Sequence, residues 1–150
     1  MRRYTALFVF LALVAAAFGT GAMYEPGPFY AALAKPAWTP PDAIFAPVWA
    51  VLYAMIALAG WIVWRAQGFG AALWIWLVQL ALNAAWPWLM FGRKQINFAM
   101  FDIAALWLAI AAFIVLAWPA RRSASLLFVP YLAWISYAAA LNFAILHLNS

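Results

Sequence analysis

Few side chains in this sequence can do chemistry, so where they stand matters. Within otherwise apolar stretches, Gln79, Asn83 and Trp86 fall at i, i+4 and i+7, which on a helix puts them on one face. Trp134, Ala138 and Asn142 share a face at i, i+4 and i+8, and Trp49 with Tyr53 and Phe98 with Asp102 are i, i+4 pairs. Together these residues offer amide and indole hydrogen bonding, flat ring faces and one carboxylate. Indoles around a common cavity would make walls for a flat apolar ligand. The same polar groups would equally serve as bonds between helices, at about 0.6 to 2 kcal/mol each. Asp102 has no Lys or Arg within its apolar stretch to pair with. It is either protonated or held by amide and hydroxyl donors, and a carboxylate in such surroundings points to function unless it is structural. No nucleophile–base pair or nucleotide-binding loop is present, which excludes ordinary hydrolytic and transfer chemistry. The chain has no cysteine, so it has no thiolate nucleophile, disulfide framework or zinc cluster. Its single histidine, His147, ends the last apolar stretch and reads as an interfacial residue, so no metal ligand is expected.

The elements that must position these residues follow from charge. Of 150 residues, 72% are hydrophobic and 7% charged, whereas a soluble domain carries about a quarter charged residues. Disorder is excluded by the same figures. Nucleic-acid binding is excluded despite a net charge of +5, because the basic residues come in ones and twos with no continuous basic face. The charges cut the chain into apolar windows over 4–24, 43–64, 66–92 and 103–120, with a last window after Arg122. Each is long enough to cross a bilayer once as a helix, and the alternation of barrel strands is missing. The pattern predicts an all-α membrane protein. It is a single domain over 1–150, a bundle of five transmembrane helices near 4–23, 44–64, 71–91, 95–118 and 123–147.

A loop rich in Pro and Trp joins the first two spans. Its segment Lys35-Pro36-Ala37-Trp38-Thr39-Pro40-Pro41-Asp42 is stiff and non-helical, because proline fixes φ and restricts the residue before it. Arg2-Arg3, an apolar run and Gly19-Thr20-Gly21-Ala22 resemble a cleavable signal, but the run is too long for a signal core and a retained helix is expected. Arg2, Arg3, Arg65, Arg121 and Arg122 fall on one side of an up-down bundle, with Lys35, Arg93, Lys94, Glu25 and Asp42 on the other. This bias predicts a cytoplasmic N-terminus. Trp61, Trp64, Trp74, Trp76 and Trp118 lie near span ends on the inner side, where an aromatic belt is expected.

Four groups of residues carry a resemblance across nearly the whole chain. They are Lys35-Pro36-x-Trp38-x-Pro40-Pro41; Pro47-x-Trp49 with Leu52-Tyr53; Leu82-Asn83-x-x-Trp86-Pro87 with Phe91-Gly92; and Pro130-Tyr131-Leu132-Ala133-Trp134 followed by Leu141-Asn142. In this order and spacing they resemble the TspO/MBR family, the tryptophan-rich sensory proteins of bacteria and the mitochondrial translocator protein. The resemblance implies a five-helix bundle with a pocket under the first loop for tetrapyrroles such as protoporphyrin IX or haem. The matching pocket positions are Trp38, Phe45, Ala46, Pro47, Trp49, Asn83, Trp86, Phe98, Trp134, Ala138 and Leu141. Tyr53 and Asn142 join them by spacing, and Asp102 matches the family acid on the fourth span.

The expected function is that of a tetrapyrrole-binding sensor or regulator in the membrane, with no obligatory cofactor. Lys35 or Arg93 would meet the ligand's propionates. The alternatives are a porphyrin photo-oxidising enzyme, a transporter, or an accessory subunit of a membrane complex. For the enzyme, the two tryptophans implied in light-dependent porphyrin degradation match Trp49 and Trp134. Expected partners are the tetrapyrrole, the lipid bilayer and a second copy in a homodimer, with the bacterial cell membrane as location. The mitochondrial cholesterol motif is broken at Phe143 and His147, so cholesterol is not expected, and Phe98 replaces a mitochondrial tryptophan.

Overall fold

The computed structural model describes residues 2–150. Five helices are long and apolar enough to cross a membrane. These are α1 (Arg2–Met23), α3 (Asp42–Gln67), α4 (Ala71–Pro87), α5 (Ile96–Ala117) and α6 (Arg122–Leu148). The chain is therefore an all-α, multi-pass membrane protein, with no strand among the described residues. The spans begin and end within a few residues of the expected limits, because each stops where charge, proline or glycine makes the next turn unfavourable. Helix α3 starts after Pro40-Pro41 with Asp42 in its first turn and Arg65 in its last, both favourable to the helix dipole. It stops at Gly68, whose φ of 67° only glycine adopts cheaply and whose N–H donates to the Trp64 carbonyl at 2.8 Å.

Two features were not expected from sequence. The first loop contains a short helix, α2 (Pro28–Ala32), opened by a proline whose missing N–H costs nothing at that position. Helix α4 continues past Pro87 into a π-helical turn, Trp88–Gly92. Pro87 cannot donate to the preceding turn, and the wider turn takes up the disturbed ladder. The chain then reverses at Lys94, a non-glycine residue in the left-handed region at φ 57°.

The five spans close into a ring. α1 packs on α3 and α4, α3 on α6, α6 on α5, and α5 on α4. The half of the ring containing the N-terminus of α1 is solid. There Trp76 is fully buried and donates its indole N–H to the Ile56 carbonyl at 2.8 Å. A Cβ on Gly60 would come within 2.5 Å of the Trp76 ring, so glycine is what lets α3 approach the indole. Phe10 meets Trp76 edge-on at 5.1 Å, and the tilted rings of Phe113 and Phe128 lie 4.1 Å apart between α5 and α6. Trp76 is thus a core residue and not the belt anchor expected from its place near a span end. Its neighbours at this end differ: Trp74 and Trp118 are exposed, and Trp61 donates to the Arg3 carbonyl at 2.9 Å beneath the Arg65 guanidinium.

Candidate ligand cavity

The opposite half of the ring is hollow. A cavity of about 560 Å³ lies between the helices beneath the first loop, within the usual range for small-molecule sites. Helix α3 contributes Phe45, Ala46, Trp49 and Tyr53; α4 contributes Asn83, Trp86 and Pro87; α6 contributes Trp134, Ala138, Leu141 and Asn142. The i, i+4 and i+7 spacings seen in sequence thus bring three helix faces to one space. Trp49 and Tyr53 lie 5.2 Å apart between ring centres, and Phe45 meets Trp134 edge-on at 5.9 Å. The floor is a chain of hydrogen bonds. Tyr53 donates to Asn83 Oδ1 at 2.8 Å, Asn83 Nδ2 donates to the Tyr131 hydroxyl at 2.7 Å, and Tyr131 donates to Gln79 Oε1 at 2.8 Å. On the far wall Trp86 Nε1 donates to Asn142 Oδ1 at 3.0 Å, and Asn142 Nδ2 to the Ile96 carbonyl at 3.3 Å.

Four expected positions lie elsewhere. Phe98 is half exposed on the outside of α5 and does not line the cavity. Asp102 is buried inside the ring but behind the cavity wall, and its Oδ2 has no hydrogen-bond partner. Pro47 faces an outer groove between α3 and α6 that it shares with Pro130 and Trp134. Trp38 packs edge-on against Tyr137 at 5.6 Å, outside the cavity, while the Tyr137 hydroxyl donates to the Trp38 carbonyl. Trp38 therefore ties the loop to α6. Trp134, which separates cavity from groove, has a buried indole Nε1 without a partner.

The loop is held over the cavity at several points. Asn149, just past α6, accepts from the Ala34 N–H at 3.0 Å and donates to the Ala34 carbonyl at 2.9 Å. Tyr30 meets Phe91 edge-on at 5.6 Å, and Phe91 meets Trp86 at 5.4 Å, so ring contacts run from loop to cavity wall. Burial, and after it the Asp42 carboxylate, raises the Tyr30 hydroxyl above its ordinary pKa of 10.0. Tyr24 lies across Gly92, where a Cβ would stand 2.8 Å from its ring. Lys35, expected to face a ligand, instead turns back to donate to the carbonyls of Tyr30 at 2.8 Å and Leu33 at 3.1 Å.

Several lining residues were missed from sequence. Ile135 precedes Ala138 and Asn142 at helical spacing, so extending that face by one turn would have found it. Phe18 on α1 and Tyr30 in the loop carried no such signal, because their places depend on how α1 and the loop meet the other helices. His147 stacks on Phe143 at 5.7 Å and is not among the cavity residues.

The sequence model of the TspO/MBR family matches residues 6–148. The chain is 39% identical to the tryptophan-rich sensory protein of Cereibacter sphaeroides, over 96% of this chain and 92% of that protein. It is 37% identical to the tryptophan-rich protein TspO of Chlorobaculum tepidum, over 86% of each. It is also 35% identical to the human translocator protein, over 78% of this chain and 72% of that one.

Proposed function

The chain belongs to the TspO/MBR family, and from that premise we propose that it is a tetrapyrrole-binding sensor or regulator that holds protoporphyrin IX or haem in the cavity beneath the first loop. The observation that carries this reading is the cavity itself, a space walled by Trp49, Trp86 and Trp134 and closed by a tethered loop. Indole faces suit a flat macrocycle, and Ala138 leaves room for a ring to lie against α6. Titration of the purified protein with protoporphyrin IX should quench tryptophan fluorescence saturably at one ligand per chain. Linear quenching, equal to that of an unrelated membrane protein, would remove the reading.

Trp49 and Trp134 border the same space, and this supports a second reading in which bound porphyrin is degraded under light. Illumination would then consume porphyrin faster with the wild-type protein than with Trp134→Phe at equal occupancy. The proposed setting is the bacterial cell membrane with the N-terminus in the cytoplasm, supported by the five arginines at that end and testable by terminal reporter fusions. A homodimer belongs to the same proposal. Ala12, Ala15 and Ala16 leave small, exposed surface on α1, and cross-linking in native membranes would test it.

A further inference from the structure

The formal charges that line the cavity are both negative. Among the described lining residues the only formally charged side chains are Glu25, just after α1, and Asp42, at the start of α3. Both are exposed, on the loop side of the cavity. The three cations of that side are engaged elsewhere and none lines the cavity. The Lys35 ammonium sits on backbone carbonyls and 4.6 Å over the Tyr30 ring, Arg93 lies over Trp88 at 5.7 Å, and Lys94 over Phe29 at 5.7 Å. The walls are ring faces, whose negative quadrupoles attract cations and give nothing to an anion.

We infer that Glu25 and Asp42 select ligands by charge, so that the cavity favours a flat aromatic ligand that is cationic, or whose carboxylates are esterified, over one bearing two free carboxylates. The inference rests on the ligand-site reading above and refines it by naming the class of ligand. A cation entering past Glu25 and Asp42 gains both carboxylates on the loop side and the indole faces within, while a free propionate meets like charge. Because both acids are exposed, water and salt screen them, and the effect is one of preference and not exclusion.

Three porphyrins of one ring size test this: protoporphyrin IX, its dimethyl ester, and a derivative with both propionates converted to trimethylammonium-bearing amides. Each is titrated by fluorescence quenching against wild type and Glu25→Gln/Asp42→Asn, so that partition into detergent cancels in the ratio for each ligand. The double variant should bind the dicationic porphyrin about three- to tenfold more weakly and the dianion more tightly by a similar factor, leaving the ester unchanged. High salt should shrink both differences between wild type and variant. Equal affinity ratios for all three ligands, with the variant's melting temperature unchanged, would overturn the inference while leaving the site in place. Failure of all three ligands to bind saturably would overturn site and inference together.

Discussion

The two halves of the ring use the same residue type to opposite ends. In the half near the N-terminus, Trp76 fills the space left by Gly60, satisfies its N–H on the Ile56 carbonyl and is fully buried. In the half beneath the loop, Trp49, Trp86 and Trp134 stand around a cavity, and Trp134 leaves its N–H unpaired. The difference lies in what surrounds the indoles. Small residues on α3 and α4 (Ala57, Ala59, Gly60, Ala72) are fully buried and let the helices close on Trp76. At the other end, Pro87 and the π turn alter the course of α4, and an aromatic loop spans the opening instead of a packed helix. Tryptophan count therefore says little about a binding site. The volume left between the backbones decides it.

The sharpest way to break the contrast is to hollow out the solid half. Trp76→Ala should destabilise the protein by about 3–5 kcal/mol, since the cavity it leaves cannot collapse on a rigid ring of helices. Denaturant unfolding in detergent measures this, and a loss below 1 kcal/mol would mean that the solid half is not close-packed. Tyr131→Phe comes next, because Tyr131 joins the floor of the cavity to the solid half. It strands Asn83 Nδ2 and Gln79 Oε1 and should cost about 1–3 kcal/mol in the same assay, without a change in tryptophan environment.

Smaller effects are expected in the hollow half. Ala138→Thr should keep the fold and change porphyrin affinity several-fold, on the order of 1 kcal/mol, as read by quenching titration. Asn149→Ala should change stability by less than about 0.5 kcal/mol, because its bonds to Ala34 are exposed. Released at that point, the loop should let porphyrin leave about two- to fivefold faster in stopped-flow displacement, with little change in association rate. An unchanged dissociation rate would show that the loop does not retain the ligand.

The spans were legible because each is bounded by charge, and lipid allows no other reading of an apolar window of that length. Helical spacing grouped Trp49 with Tyr53 on α3, Asn83 with Trp86 on α4, and Trp134, Ala138 and Asn142 on α6, while Phe45, Ala46 and Leu141 came only with the family resemblance. Phe98 and Asp102 show where spacing stops being sufficient. Residues at i, i+4 are offset by part of a turn, and on α5 that offset sets Asp102 inside the ring and Phe98 outside it. Trp76 was misplaced because distance from a span end gives depth in the membrane, whereas burial depends on which neighbour the helix faces. The loop was legible as stiff but not in its path. Its path comes from long-range contacts, such as Asn149 with Ala34 and Tyr24 with Gly92, that leave no periodic trace.

The central claim, that the hollow half is the ligand site, is tested most directly by filling it. Ala138→Leu adds an isopropyl group to the side chain at the cavity wall, on a residue that is not part of the solid half. Wild type and variant are titrated with protoporphyrin IX and melted in parallel. The account predicts that saturable quenching falls at least about tenfold in affinity while the melting temperature holds. Unchanged affinity, or a variant that melts early, would make Ala138 a packing residue and put the ligand elsewhere.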